Sequence, residues 1–108
     1  MESSFVRVAD AAAVPPGKSL AVPVGRYEVA LFNVDGKLYA LENACPHQGG
    51  PIAEGWIDGE NVVCPWHGWC FELRTGNLTL GPFAWVPRFE VKVEDGGIWL
   101  STEPEARA

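Results

Sequence analysis

Two short segments with metal-ligand chemistry constrain this chain more than anything else in it. Cys45-Pro46-His47 is a Cys-x-His pair, Cys64-Pro65-Trp66-His67 is a Cys-x-x-His pair, and 16 residues separate His47 from Cys64. The chain has only two histidines, so both stand in these pairs. Each follows a Cys-Pro step, which favours a tight turn and lets each segment present one thiolate and one imidazole. Neither segment alone supplies four ligands, so any fold must bring the two together. Two thiolates and two neutral imidazoles can hold zinc. They also neutralise the two positive charges of an oxidised [2Fe–2S] core and leave one negative charge after it takes up an electron. Zinc modules more often pair like with like, Cys-x-x-Cys and then His-x-x-x-His, whereas here each segment mixes the two.

At 108 residues the chain has room for one domain with one core, so residues 1–108 are read as a single domain. A hydrophobic content of 47%, with five Trp and five Phe, excludes a disordered chain of low apolar content. No apolar run approaches the roughly 20 residues needed to cross a bilayer, and residues 1–10 lack both a basic start and an apolar signal core. The sequence therefore predicts a soluble cytoplasmic protein. Of three cysteines, Cys70 has no partner once Cys45 and Cys64 are given to metal, so a disulfide framework is not expected. The net charge of −6 argues against nucleic-acid binding.

The rest of the chain reads as short strands and turns. Residues 5–8 alternate, 10–14 suggest one Ala-rich helical turn, and Pro15-Pro16-Gly17 stops it. Ser19–Val24 and Tyr27–Val34 follow as strands, and Asp35-Gly36 predicts a type I′ hairpin into Lys37–Glu42. Asp58-Gly59 between residues 56–57 and 61–64 makes the spacer between the ligand pairs a hairpin. Residues 70–73 and 78–80 are further strand candidates. Residues 88–94 and 98–102 form a last hairpin through Asp95-Gly96-Gly97, with Phe89, Val91 and Val93 on one face, and the tail at 103–108 is expected to fray. The sum is an all-β domain of nine or ten short strands, a small sandwich or partly open barrel.

The segments CPHQGGPIAEG and CPWHGWCFELRTG, with the VEDG hairpin, resemble the Rieske family over nearly the whole chain. The resemblance implies a Rieske-like β-sandwich with a cluster-binding subdomain at about 43–85 and one [2Fe–2S] cluster per chain. It implies that Cys45 and Cys64 hold one iron and that His47 and His67 hold the other. The iron with neutral ligands should then take the electron, so the histidines form its exit and the potential exceeds that of an all-Cys cluster. It also implies that Pro82 belongs to a loop closing over the cluster. Trp66 and Trp69 bracket His67, as a docking patch or as core, and Gly49, Gly50 and Gly68 either admit amides to the sulfides or serve as turn residues. Cys70 reads as a small buried hydrophobe rather than a ligand.

High-potential members of the family carry an extra cysteine in each cluster loop, a membrane anchor and hydroxyl donors to the cluster. Here Gly50 and Trp66 replace the cysteines, and Trp69 stands where that branch has serine. Two missing donors of about 1 kcal/mol each lower a one-electron potential by on the order of 100 mV. The resemblance thus implies a monomeric ferredoxin that passes single electrons from a flavin-dependent reductase to a terminal oxygenase and is not itself an enzyme. Two other readings are the small subunit of an assimilatory nitrite reductase and a zinc-stabilised interaction module without a redox role.

Overall fold

The computed structural model describes residues 4–44, 51–65, 68–79, 81 and 84–105. Among these residues the strands are β1 (Phe5–Asp10), β2 (Ser19–Val24), β3 (Tyr27–Val34), β4 (Lys37–Glu42), β5 (Trp56–Asp58), β6 (Asn61–Val63), β7 (Cys70–Glu72), β8 (Arg88–Phe89), β9 (Val91–Glu94) and β10 (Gly97–Ser101). Single 3-10 turns occupy Ala11–Ala13 and Ile52–Glu54. Three antiparallel sheets result, ordered β1-β10-β9, β2-β3-β4-β8 and β5-β6-β7. The all-β expectation is met, and the described strands form open sheets rather than a closed barrel.

The turns follow from backbone chemistry. Asp35 and Gly36 both have positive φ (52° and 94°), as do Asp95 and Gly96 (52° and 72°), which is the type I′ geometry that matches strand twist. The spacer hairpin turns one residue later than its Asp-Gly step suggests. Asp58 pairs with Asn61, so the turn is Gly59-Glu60, with the positive φ on the glycine alone.

Strand β3 explains the layering. Val29 and Leu31 pack with Val22, Ala40, Phe89, Ile98 and Leu100 on one side of the sheet. Ala30 and Phe32 pack with Leu41, Ile52, Val62 and Phe71 on the other. A strand buried on both faces reads as a continuous apolar run rather than an alternation, and residues 29–32 are Val-Ala-Leu-Phe. The four-stranded sheet is therefore the middle layer, with β1-β10-β9 against one face and β5-β6-β7 against the other.

The small sheet is an insertion in the four-stranded one. Strand β4 pairs with β8 through Ala40↔Phe89 and Leu41↔Arg88, and the Glu42 N–H donates to the Pro87 carbonyl at 2.9 Å. Residues 43–86 thus leave and re-enter the middle sheet at one neck.

Several sequence expectations need correction. Residues 88–94 are not one strand: β8 pairs with β4 and β9 with β10, and the change of partner falls at Glu90, whose N–H donates to Ser101 Oγ (3.0 Å) and whose carbonyl accepts from the Ser101 N–H (3.0 Å). Consequently Phe89 is buried whereas Val93, 56% exposed, faces solvent. The described part of 78–80 makes an isolated bridge, Phe71↔Leu78, rather than a strand. The tail is docked as far as Glu105, whose N–H donates to the Arg88 carbonyl at 2.6 Å and whose carboxylate pairs with the Arg88 guanidinium at 2.5 Å. Residues 106–108 lie outside the described residues.

Candidate metal centre

Of the four residues assigned to metal, Cys64 is described, while Cys45, His47 and His67 lie outside the described residues, as do Gly49, Gly50, Trp66 and Pro82. What the structure gives is the frame on either side of both ligand segments.

Cys64 follows directly on β6. Val62 and Phe71 are cross-strand partners whose side chains point into the core, whereas Val63 and its partner Cys70 lie on the outer face. The Cys64 N–H donates to the Trp69 carbonyl at 2.7 Å, which closes the connection between β6 and β7. Gly68 has a positive φ of 70° and open space where a Cβ would be, so conformation rather than close packing requires glycine there. Cys64 is fully buried in the apolar cluster with Ile52, Val62 and Phe71, and neither it nor Cys70 is in a disulfide. Such surroundings admit a neutral thiol or a metal-bound thiolate, and disfavour a bare thiolate. The position therefore fits a metal ligand.

Trp69 is half-buried against the same cluster, its ring centroid 6.4 Å from that of Phe71, so this tryptophan contributes to the core packing. Cys70 is half-buried rather than fully buried. The two-residue period of β7 turns it away from the core in register with Val63, which in turn pairs with the exposed Trp56.

The first ligand segment is framed by residues that the motif does not contain. Asn43, 7% exposed, sits at the end of β4. Its backbone N–H donates to the Glu28 carbonyl (2.7 Å), its side-chain N–H to the Glu28 carboxylate (2.9 Å), and its Oδ1 accepts the Ala53 N–H (2.7 Å). Ser19 Oγ donates to the carbonyl of that same Ala53 (2.7 Å). The peptides on both sides of residues 45–50 are thus tied to β2 and β3. Sequence reading missed Asn43, Glu28 and Ser19. The available signal was an asparagine placed between an apolar strand and a cysteine, where its amide bonds backbone groups readily.

Beside Ala44 lies an open cleft of ≈ 420 Å³ lined by Arg26, Tyr27, Glu28, Glu42 and Asn43. Arg26 donates to the Tyr27 hydroxyl at 3.0 Å, and that bond raises the pKa of a guanidinium that is charged at neutral pH in any case.

An antiparallel β domain with an inserted small sheet whose middle strand leads into a buried cysteine defines a class, and comparison with known proteins agrees with it. Residues 4–90 match the Rieske [2Fe-2S] domain. Ferredoxin CarAc of Metapseudomonas resinovorans is 33% identical over 106 residues, covering 95% of this chain and 98% of that protein. Apoptosis-inducing factor 3 of Homo sapiens is 34% identical over 91 residues, covering 83% of this chain, and the chain spans only 15% of its length. Among solved structures, a chain from the complex of reduced oxygenase and oxidized ferredoxin in carbazole 1,9a-dioxygenase superposes with a TM-score of 0.88 at 29% identity, covering 98% of this chain and 100% of that one. A putative nitrite reductase small subunit from Mycobacterium tuberculosis gives 0.87 at 22% identity over the full length of both chains, a likeness of fold alone. This chain belongs to the Rieske [2Fe-2S] domain family. Its cofactor is accordingly a [2Fe–2S] cluster, and the zinc reading is set aside.

Proposed function

We propose that this chain is a one-electron carrier that accepts electrons from a flavin-dependent reductase and delivers them to a terminal oxygenase. Cys45 and Cys64 hold one iron, and His47 and His67 hold the other. The cluster supplies the one-electron couple, and the chain supplies the ligands, the apolar shelter around Cys64 and the frame that sets the two segments side by side. Residues 1–108 act as a single domain with residues 43–85 as its cluster-binding part, and the protein works as a monomer in the cytoplasm.

The observation that carries this reading is two-way coverage. The chain matches nearly the full length of a ferredoxin component and of a chain from a ferredoxin–oxygenase complex, at about a third identity or just below. The nitrite reductase small subunit shares the fold at lower identity. No helix among the described residues is long and apolar enough to cross a membrane.

The experiment is stoichiometric. The purified protein, reduced by NADH through a flavoprotein reductase, should store one electron per chain, show a Rieske electron paramagnetic resonance signal, and be reoxidised by a Rieske oxygenase in the presence of its substrate. Copurification with a siroheme flavoprotein, together with failure to reoxidise through an oxygenase, would assign it to nitrite reduction instead.

A further inference from the structure

We infer that Asn43 is a positioning residue for the cluster: through Ala53 and Gly55 it sets the spacing between the two ligand segments before metal is bound. The inference rests on the reading above, that residues 45–47 and 64–67 supply the ligands.

The connection can be followed atom by atom. Asn43 stands two residues before Cys45, and both its backbone and its side chain are bonded to Glu28 on β3, which fixes the incoming end. Its Oδ1 accepts the N–H of Ala53, ten residues further on, so the chain carrying Cys45 and His47 is closed into a loop by a side chain of the protein itself. The Ala53 carbonyl is held separately by Ser19 Oγ. Two residues beyond, Gly55 lies against β6 so closely that a Cβ there would sit 1.8 Å from the Val63 carbonyl oxygen. The residue after Val63 is Cys64. Hence two hydrogen bonds on one residue, Ala53, and one backbone contact lead from the first ligand segment to the second, with no metal in the path.

This arrangement has a specific chemical requirement. Asn43 is buried and uses its amide in both senses, accepting from Ala53 and donating to the Glu28 carboxylate. Aspartate would keep the acceptor for Ala53 but turn its second oxygen toward another carboxylate, which repels it. Exchanging the two chemistries, carboxylate at 43 and amide at 28, restores a donor facing an acceptor and leaves the net charge unaltered. Geometry can thereby be separated from charge.

The test uses the holoprotein and three variants, N43D, E28Q and the double variant N43D/E28Q, with S19A as a milder perturbation of the same residue, Ala53. Cluster loss to a chelator, the reduction potential and the anisotropy of the paramagnetic resonance signal are read beside the melting temperature. N43D should lose its cluster about tenfold faster and show an altered signal. E28Q should change little, because a side-chain carbonyl still accepts from Asn43. The double variant should return the loss rate to within about twofold of wild type and restore both signal and potential. S19A should move the loss rate in the same direction as N43D, by less. If N43D does not fold, the double variant and S19A decide alone: a wild-type loss rate in S19A, or no recovery in the double variant, overturns the inference. So does a set of variants whose melting temperatures fall while loss rate, potential and signal stay at wild-type values, since that is packing only. A wild-type protein lacking iron and sulfide would defeat the functional reading itself, and is recognised before any variant is made.

Discussion

Gly55 and Val63 touch where no side chain fits: a Cβ on Gly55 would lie 1.8 Å from the Val63 carbonyl oxygen and 2.9 Å from its carbonyl carbon. The obstacle is backbone in the middle strand of the small sheet, so a substituent cannot be relieved by a rotamer change. Gly55→Ala should push β5 away from β6, cost about 3 kcal/mol and lower the iron content of the purified protein. Denaturant unfolding with iron analysis checks this. An alanine variant of wild-type stability and full iron content would show that the strands separate without consequence for the cluster.

A second expectation distinguishes the two described cysteines. Cys64 is fully buried at the end of β6, where a thiolate would be stable only when bound to metal, whereas Cys70 is half-buried on the outer face beside Val63. Cys64→Ala should abolish the Rieske spectrum. Cys70→Ser should leave it intact and cost under about 1 kcal/mol, since a half-exposed hydroxyl retains access to water. His47→Ala and His67→Ala should behave like Cys64→Ala. Visible absorption with iron and acid-labile sulfide assay reads the whole series, and loss of the cluster on replacing Cys70 would reassign the ligands.

Arg88 joins three parts of the chain. Its guanidinium donates to the Arg74 carbonyl (2.7 Å) in the turn after β7 and to Glu105 (2.5 Å) in the tail, while its own carbonyl accepts the Glu105 N–H. Arg88→Met should cost about 1 kcal/mol, mostly from the lost charged hydrogen bond to the Arg74 carbonyl, which is exposed and takes up water instead, because the partly exposed ion pair with Glu105 is screened by solvent. Glu105→Gln should therefore cost less than 1 kcal/mol by the same screening argument. Thermal unfolding at low and high salt separates the two contributions. Equal losses from both variants would place the energy in the ion pair instead.

The strands were legible in the sequence wherever local chemistry decides them. Ser19–Val24, Tyr27–Val34 and Lys37–Glu42 were read with their boundaries because the Asp35-Gly36 turn and the flanking β-branched and aromatic residues act within a few positions. Residues 88–94 were misread because their pattern looks like one strand, and only a distant residue, Ser101, shows that pairing changes at Glu90. The tail was misjudged for the same reason, since its anchor, Arg88, is far away in sequence. At the site, the Cys-Pro-His and Cys-Pro-x-His pattern was visible because ligand chemistry demands those residue types. Asn43, Ser19 and Gly55 were not, because what makes them matter is a contact with Ala53 or Val63 that no local pattern records.

Removing the cluster should loosen the protein unevenly. The packing of Val14, Val22, Val29, Leu31, Phe89, Ile98 and Leu100 contains no metal ligand, so the sheets β1-β10-β9 and β2-β3-β4-β8 have their own reason to persist. The opposite cluster includes Cys64, and the bond from the Cys64 N–H to the Trp69 carbonyl closes a connection that contains His67. Among the described residues, that bond, the β6–β7 ladder and the packing of Trp69 on Phe71 tie the connection to the small sheet, and metal ligation would add to them. The Ala53 N–H differs, because its acceptor is the side chain of Asn43, itself bonded to Glu28. Native-state hydrogen exchange on apoprotein and holoprotein should therefore show the Cys64 amide losing protection by an order of magnitude or more, on the scale of local opening rather than global unfolding. The Ala53 amide should stay within about threefold of its holoprotein rate. Uniform loss of protection at Ala53, Cys64 and the core of β3 would mean that metal binding and folding are one event, with no frame standing ready for the cluster.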